Sequence, residues 1–235
     1  MEKSENENMQ RSVGGRNWKR WLAIAAIAAA VWSTAIVTAS ADEELGEGTI
    51  LVADKKLTDP NFQKTVVLVI TYDDSGAVGL VLNRQSDVQV SDLLPGVKEA
   101  RGRVDAAFTG GPVEPKSVLA LLRSNKGPDG AQHIAGDIWA ILDQDLLQNA
   151  LASHPGPDKL RFYLGYAGWG PGQLEAEIDA GAWRVIRANS STVFDASPES
   201  LWDRIARGLD LQLAAKPAQH LRPALNRLIV PQAFQ

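Results

Sequence analysis

The chain has 235 residues, 45% of them hydrophobic, with 24 basic and 28 acidic side chains and a net charge of −4. That suits one domain with appendages and a sizeable core, and no block of like charge points to nucleic acid or to an acidic membrane. The absence of cysteine excludes disulfides, thiol catalysis, cysteine-based zinc sites and lipoprotein attachment.

Near the N-terminus, Arg16, Lys19 and Arg20 lie ahead of Trp21 to Val37, an uncharged, alanine-rich run, and then Ala39-Ser40-Ala41 comes before Asp42-Glu43-Glu44. Basic region, apolar region and small-x-small site in that order read as a secretory signal peptide cut between Ala41 and Asp42. The run is almost long enough to span a bilayer, so an uncleaved signal anchor is the alternative. The segments expected are therefore 1–41 as signal peptide or anchor, 42–210 as the domain and 211–235 as an extension. Cleavage would remove five basic and three acidic residues and leave a net charge of −6. The location expected is the periplasm or the inner membrane, or the cytoplasm if translation starts further in. Met9, the one other methionine, still precedes the apolar run.

Thr49 to Ala53 reads as a short strand. Asp59-Pro60-Asn61 is turn chemistry, and Phe62 drops back onto the core. Thr65 to Tyr72 is a β-branched run suited to a central strand covered on both faces. Asp73 to Gly76 turns the chain, and Ala77 to Asn83 returns as the second arm of an antiparallel hairpin. Asp73 and Asp74 have no third ligand at useful spacing, so no metal is expected. Val90 to Leu94 is a brief helical turn with Ser91 as its cap, and Lys98 to Asp105 is charged and exposed. Ala106 to Thr109 is a strand running into Gly110-Gly111-Pro112-Val113. Paired glycines let the backbone approach another strand or a ligand closely.

Ser117 to Arg123 and Ile138 to Leu142 are further strands, separated by a polar loop at Ser124 to Gln132. Asp143 to Ser153 is an amphipathic helix capped by Asp143, with Leu146, Leu147, Ala150 and Leu151 on its apolar stripe. Leu160 to Leu164 is a strand that ends at Gly165. From Gly165 to Trp183 the chain reads GYAGWGPGQLEAEIDAGAW, a strand-turn-helix joint with four glycines ahead of an acidic helical part. Leu174 and Ile178 share one helix face, and Gly181 stops the helix. Trp169 and Trp183 serve either as core aromatics or as the lining of a small pocket. Ser197 and Pro198 start a last helix, whose buried face is Leu201, Trp202, Ile205 and Leu209.

Gly48-Thr49-Ile50-Leu51-Val52-Ala53, Leu57 to Phe62, Gly76 to Arg84, Gly110 to Val113 and the Gly165 stretch occur in an order that resembles the YqgE/AlgH family of bacterial proteins, over roughly residues 46 to 210. The resemblance implies an α/β fold of the α+β kind: a single compact domain with a mixed, strongly bent sheet flanked by helices. The family carries an old label of transcriptional regulator, and no catalytic residues or ligand come with it.

Chemistry is sparse. His133, His154 and His220 lie far apart in sequence, and no H-E-x-x-H, G-x-S-x-G or Ser-x-x-Lys appears. Glu175 and Glu177 point to different helix faces, a poor arrangement for a paired acid and base. No catalytic residue, metal or cofactor is expected. If a pocket exists, it is expected between the two Gly-Pro loops, at Asn61, Gly110, Gly111, Pro112, Tyr166, Trp169, Gln173 and Glu175. The leading expectation is a non-enzymatic regulatory or interaction protein with a protein partner, exported or membrane-tethered. The alternatives are a small-molecule-binding domain or enzyme using that pocket, and a cytosolic transcriptional regulator. Charge disfavours nucleic acid, and membrane contact is expected only through the N-terminal segment.

Overall fold

Val66 to Ile70 are all buried, and the strand they form organises the sheet. The computed structural model describes residues 44–153 and 155–215. The proposed cleavage site at Ala41 and Asp42, the apolar run before it, His154 and the residues after 215 lie outside the described residues.

Ten strands form one sheet: β1 (Thr49–Ala53), β2 (Val66–Asp73), β3 (Gly76–Val81), β4 (Gln85–Gln89), β5 (Ala106–Thr109), β6 (Val113–Arg123), β7 (Gln132–Ala135), β8 (Ile138–Ile141), β9 (Leu160–Trp169) and β10 (Trp183–Arg187). The order is β10-β1-β2-β3-β9-β6-β8-β7, with β5 beside β9 and β4 beside β5. Every ladder is antiparallel except β5 with β9, so the sheet is mixed. The helices are α1 (Val90–Leu93), α2 (Gln144–Ala152), α3 (Gln173–Asp179), α4 (Ser190–Val193) and α5 (Leu201–Ala215). The α+β architecture implied by the resemblance is the one observed.

β9 is the strand on which the sheet curls. Its first half pairs with β5 at Tyr163 and Leu164, and its second half pairs with β3 at Ala167 to Trp169. Gly165, in the left-handed region at φ 65°, sits where the neighbour changes. The sequence reading ended this strand at Gly165. The strand instead runs on to Trp169, because β3 and β6 supply partners for its backbone beyond the glycine.

Two apolar clusters lie against this sheet. One gathers β1, β2 and β3 with Trp169, Trp183, Leu174 and the buried face of α5. The Trp202 indole, buried as expected, donates to the Ala53 carbonyl at 2.8 Å and docks α5 on β1. The other gathers Leu147 and Leu151 of α2 with Ile141, Leu160 and Phe162. Asp143 caps α2 as expected, accepting from the Asp145 amide at 2.8 Å and the Leu146 amide at 3.2 Å.

Other elements differ from the sequence reading. β4, β7 and α4 form in stretches to which the sequence reading gave no strand or helix, and β6 starts at Val113 rather than Ser117. Ser91 does not cap α1, which starts one residue earlier after Gln89. Within Lys98 to Asp105, Ala100 is buried, and Arg103 pairs with Asp105 at 2.7 Å. α5 continues past Asp210 to Ala215.

Candidate functional site

Around α3 an acidic helix sits on three aromatic rings. Phe62 lies 5.9 Å from Trp169 and 5.8 Å from Trp183, and the two tryptophans are 6.0 Å apart, edge to face. Glu177 serves both indoles: its Oε2 accepts from Trp169 Nε1 at 3.0 Å and from Trp183 Nε1 at 2.8 Å. Gln173 donates to Glu177 Oε1 at 2.9 Å and accepts from the Gly170 amide at 3.1 Å, which fixes the helix start. On another face of α3, Tyr72 donates to Glu175 at 2.5 Å. That bond lowers the Glu175 pKa and raises that of Tyr72. The two glutamates hold different partners, as their angular separation requires.

The loop carrying Asn61 is tied from the residues that follow β3. Asn83 accepts the Val66 amide at 2.8 Å and donates to the Lys64 carbonyl at 2.9 Å. Arg84 donates to the carbonyls of Asn61 at 2.6 Å and of Pro60 and Gln63 at 3.2 Å. Asp59 accepts the Asn61 amide at 2.7 Å, an Asx turn. The Asn61 side chain is exposed and has no partner among the described residues.

Gly110 and Gly111 pack against β9. A Cβ on Gly110 would lie 2.2 Å from the Gly165 carbonyl oxygen, and one on Gly111 would lie 2.1 Å from the Tyr166 carbonyl carbon. The close approach is therefore backbone to backbone, and the two Gly-Pro segments touch at this level instead of enclosing a gap. Pro112 is exposed, Tyr166 half-buried and Trp169 buried. Of the residues singled out by sequence, the structure brings Trp169 and Gln173 together through Glu177, places Asn61 next to Phe62 of the same cluster, and sets Glu175 toward Tyr72. Gly110 meets Gly165 and Gly111 meets Tyr166, on another part of β9.

A cleft of about 750 Å³ opens elsewhere, between the 124–128 loop and α2. Arg123, Lys126 and Lys159 line it, with Asn125, Asn149 and one carboxylate, Asp137. Asp137 accepts from Arg123 at 3.0 Å and from the Ser190 hydroxyl. The Ser190 bond, then Arg123, pulls its pKa down against burial. Lys126, Lys159, Asn125 and Asn149 have side chains without a partner among the described residues. The loop is held from beneath. Trp139 Nε1 donates to the Ser124 carbonyl at 2.9 Å, and its ring lies under Gly127, where a Cβ would come within 2.2 Å. The Arg123 amide donates to the Lys159 carbonyl at 2.7 Å, which extends the β6–β9 ladder to the edge of the cleft. Sequence reasoning missed this cleft. Its one local signal was the Gly127-Pro128-Asp129-Gly130 turn that follows Arg123 and Lys126.

Arg161 is a further buried charge, 7% exposed. It donates to the carbonyls of Pro157 at 3.1 Å, Val193 at 3.2 Å and Asp195 at 2.5 Å. Its guanidinium lies 5.0 Å from the Phe108 ring and 5.7 Å from that of Phe194. Beside it, the buried Tyr163 hydroxyl meets no hydrogen-bond partner among the described residues. Burial pushes the Tyr163 pKa well up, with the Arg161 charge opposing. The described residues hold no cluster of three or more His, Asp or Glu side chains placed to bind a metal ion.

Comparison with known proteins agrees with the motifs and the curled sheet. The AlgH-like family model matches residues 50–214. A UPF0301 protein of Streptomyces avermitilis is 39% identical over 188 residues, covering 76% of this chain and 94% of the relative. One from Myxococcus xanthus is 38% identical over 168 residues, covering 70% and 91%. The solution structure of AlgH from Pseudomonas aeruginosa superposes with a TM-score of 0.58 at 30% identity, covering 79% of this chain and 95% of that one. The crystal structure of protein DIP2367 from Corynebacterium diphtheriae gives a TM-score of 0.61 at 26% identity, covering 70% and 87%. Residues 50–214 thus carry both the sequence match and the fold, and the chain belongs to the AlgH-like family.

Proposed function

We propose that this protein is a non-catalytic binding protein, exported or membrane-tethered through residues 1–41, that takes an anionic partner in the cleft beside α2. One observation carries the reading. Lys126 and Lys159 both line this concave surface, and neither has a counter-charge among the described residues. Arg123 is neutralised by Asp137, so the two lysines supply the net field there. The α3 glutamates support a binding rather than a catalytic role. Both accept hydrogen bonds from aromatic side chains, which engages them in holding the fold.

The test is thermal unfolding of the full chain with a panel of small anions and an acidic peptide, repeated on a Lys126→Gln/Lys159→Gln double variant. A rise in Tm with an anion that disappears in the variant supports the reading. No rise with any anion, or a rise that the variant retains, sinks it.

A further inference from the structure

The cleft beside α2 has more chemistry than two charges. Its free groups are of two kinds: the ammonium groups of Lys126 and Lys159, and the amide side chains of Asn125 and Asn149. Two ammonium charges match a phosphate monoester, which carries about −1.5 to −2 at neutral pH. Each amide offers two N–H donors and a carbonyl acceptor, a set that suits hydroxyl groups. The described lining residues include no aromatic side chain. A base would find no stacking surface there, whereas a hydroxylated body needs none. The volume of about 750 Å³ falls within the range of small-molecule sites. Long polyanions fit poorly, because the chain as a whole is acidic with a net charge of −4.

The backbone that carries Asn125 and Lys126 is held. The Ser124 hydroxyl accepts the Lys126 amide at 3.3 Å and donates to the Lys126 carbonyl at 2.7 Å, closing the loop on itself. Trp139 supports that loop at Ser124 and Gly127. The backbone link from Arg123 to Lys159 sets the start of that loop beside the residue before β9. A site whose loop is held before binding loses less on ordering than a free loop does.

We infer that the cleft binds a small phosphate monoester with a hydroxylated body, of the sugar-phosphate or polyol-phosphate class. The phosphate lies between Lys126 and Lys159, and the hydroxyls meet Asn125 and Asn149. This rests on the proposed reading of the cleft as an anion-binding surface and names the ligand class for it.

The experiment is calorimetric titration of the full chain with glucose 6-phosphate, inorganic phosphate, glucose and poly-glutamate. It is repeated on Lys126→Gln, Lys159→Gln and Asn149→Ala. All three positions are exposed, and unchanged Tm values confirm that the variants fold. Glucose 6-phosphate is expected to bind more tightly than inorganic phosphate, and glucose not at all. Each lysine variant is expected to weaken glucose 6-phosphate by about tenfold, as loss of a charge-assisted contact does. Asn149→Ala is expected to weaken glucose 6-phosphate and leave inorganic phosphate unchanged. Equal affinity for the two phosphates overturns the hydroxylated body. Binding of poly-glutamate but not of glucose 6-phosphate, lost in the lysine variants, overturns the phosphate assignment and leaves the anionic cleft standing. Absence of any binding, or binding indifferent to both lysines, overturns both.

Discussion

Glu177 Oε2 accepts the Trp183 indole N–H at 2.8 Å while holding Trp169 at 3.0 Å, so one carboxylate oxygen satisfies two buried aromatic donors. The two rings come from the end of β9 and the start of β10, and Glu177 lies between them on α3. Removing the carboxylate leaves both indoles without a partner. Glu177→Ala should lower stability by about 2–3 kcal/mol, since hydrogen bonds to a charged group are the stronger kind and orphaned buried donors add to the loss. Glu177→Gln should recover part of it. Urea unfolding followed by tryptophan fluorescence measures both, and an Ala variant as stable as the parent would show that water replaces the carboxylate.

Arg161→Met should be more damaging than its loss of charge suggests. Three main-chain carbonyls would lose their donor in a site where only 7% of the arginine is exposed. A loss of about 3 kcal/mol or more follows from stranding buried acceptors. Arg161→Lys should rescue little, because a single ammonium lacks the fork that reaches separated oxygens. Equal stability of the Lys variant and the parent would refute the geometric argument.

Gly110→Ala and Gly111→Ala should each destabilise severely, since the added Cβ would lie 2.2 Å and 2.1 Å from backbone atoms of β9. The cost should exceed about 3 kcal/mol, the scale of steric conflict in a packed core. Gly96 has nothing within 4 Å of its Cβ position, so Gly96→Ala is the control and should be close to neutral. Soluble yield and Tm report all three.

The Tyr72–Glu175 pair sets a pH window. Glu175 is held below its ordinary 4.5 by the tyrosine hydroxyl, so its contribution is full above 4.5 and falls away as pH drops through the folded value. Tyr72 is raised above 10.0 by the same bond, so its contribution is full below 10.0 and is lost as pH rises through the folded value. Asp54 and Asp137 are also lowered from 3.8, by the Lys56 amide and by Ser190 respectively, which steepens the acid side. Stability of the parent relative to Tyr72→Phe should therefore be greatest and flat between 4.5 and 10.0 and shrink on either side. A difference that did not vary with pH would mean that the bond contributes nothing.

The proposed export predicts a native chain that begins at Asp42 in the periplasmic fraction, or an intact chain in the membrane fraction if residues 1–41 remain as an anchor. Intact-mass measurement after cell fractionation reads either. A cytosolic chain would overturn the location while leaving the cleft proposal to its own titration.

Local chemistry made much of the fold legible. Val66 to Ile70 announced a buried strand by composition, and Asp143 announced a helix start through its side-chain acceptor. β4 could not be read, because Gln85 to Gln89 is polar and half exposed and is a strand only through pairing with β5. The roles of the singled-out residues were less legible than their neighbourhood. Glu175 does sit on α3, but its partner Tyr72, like the two indoles that Glu177 holds, is chosen by how the helix lands on the sheet.

The sequence by itself determined the elements whose signals are local: apolar runs, caps, turn residues and the ordered motifs that mark the family. Tertiary structure alone decided what those residues face. The paired glycines at 110 and 111 require a close neighbour, yet only the register of β9 makes that neighbour a strand backbone. Arg123 and Lys159 lie 36 positions apart in the chain and become neighbours at the cleft because β6 pairs with β9, a ladder that the 2.7 Å Arg123–Lys159 backbone bond extends. Long-range pairing depends on the whole sheet closing at once, so no window of sequence contains it.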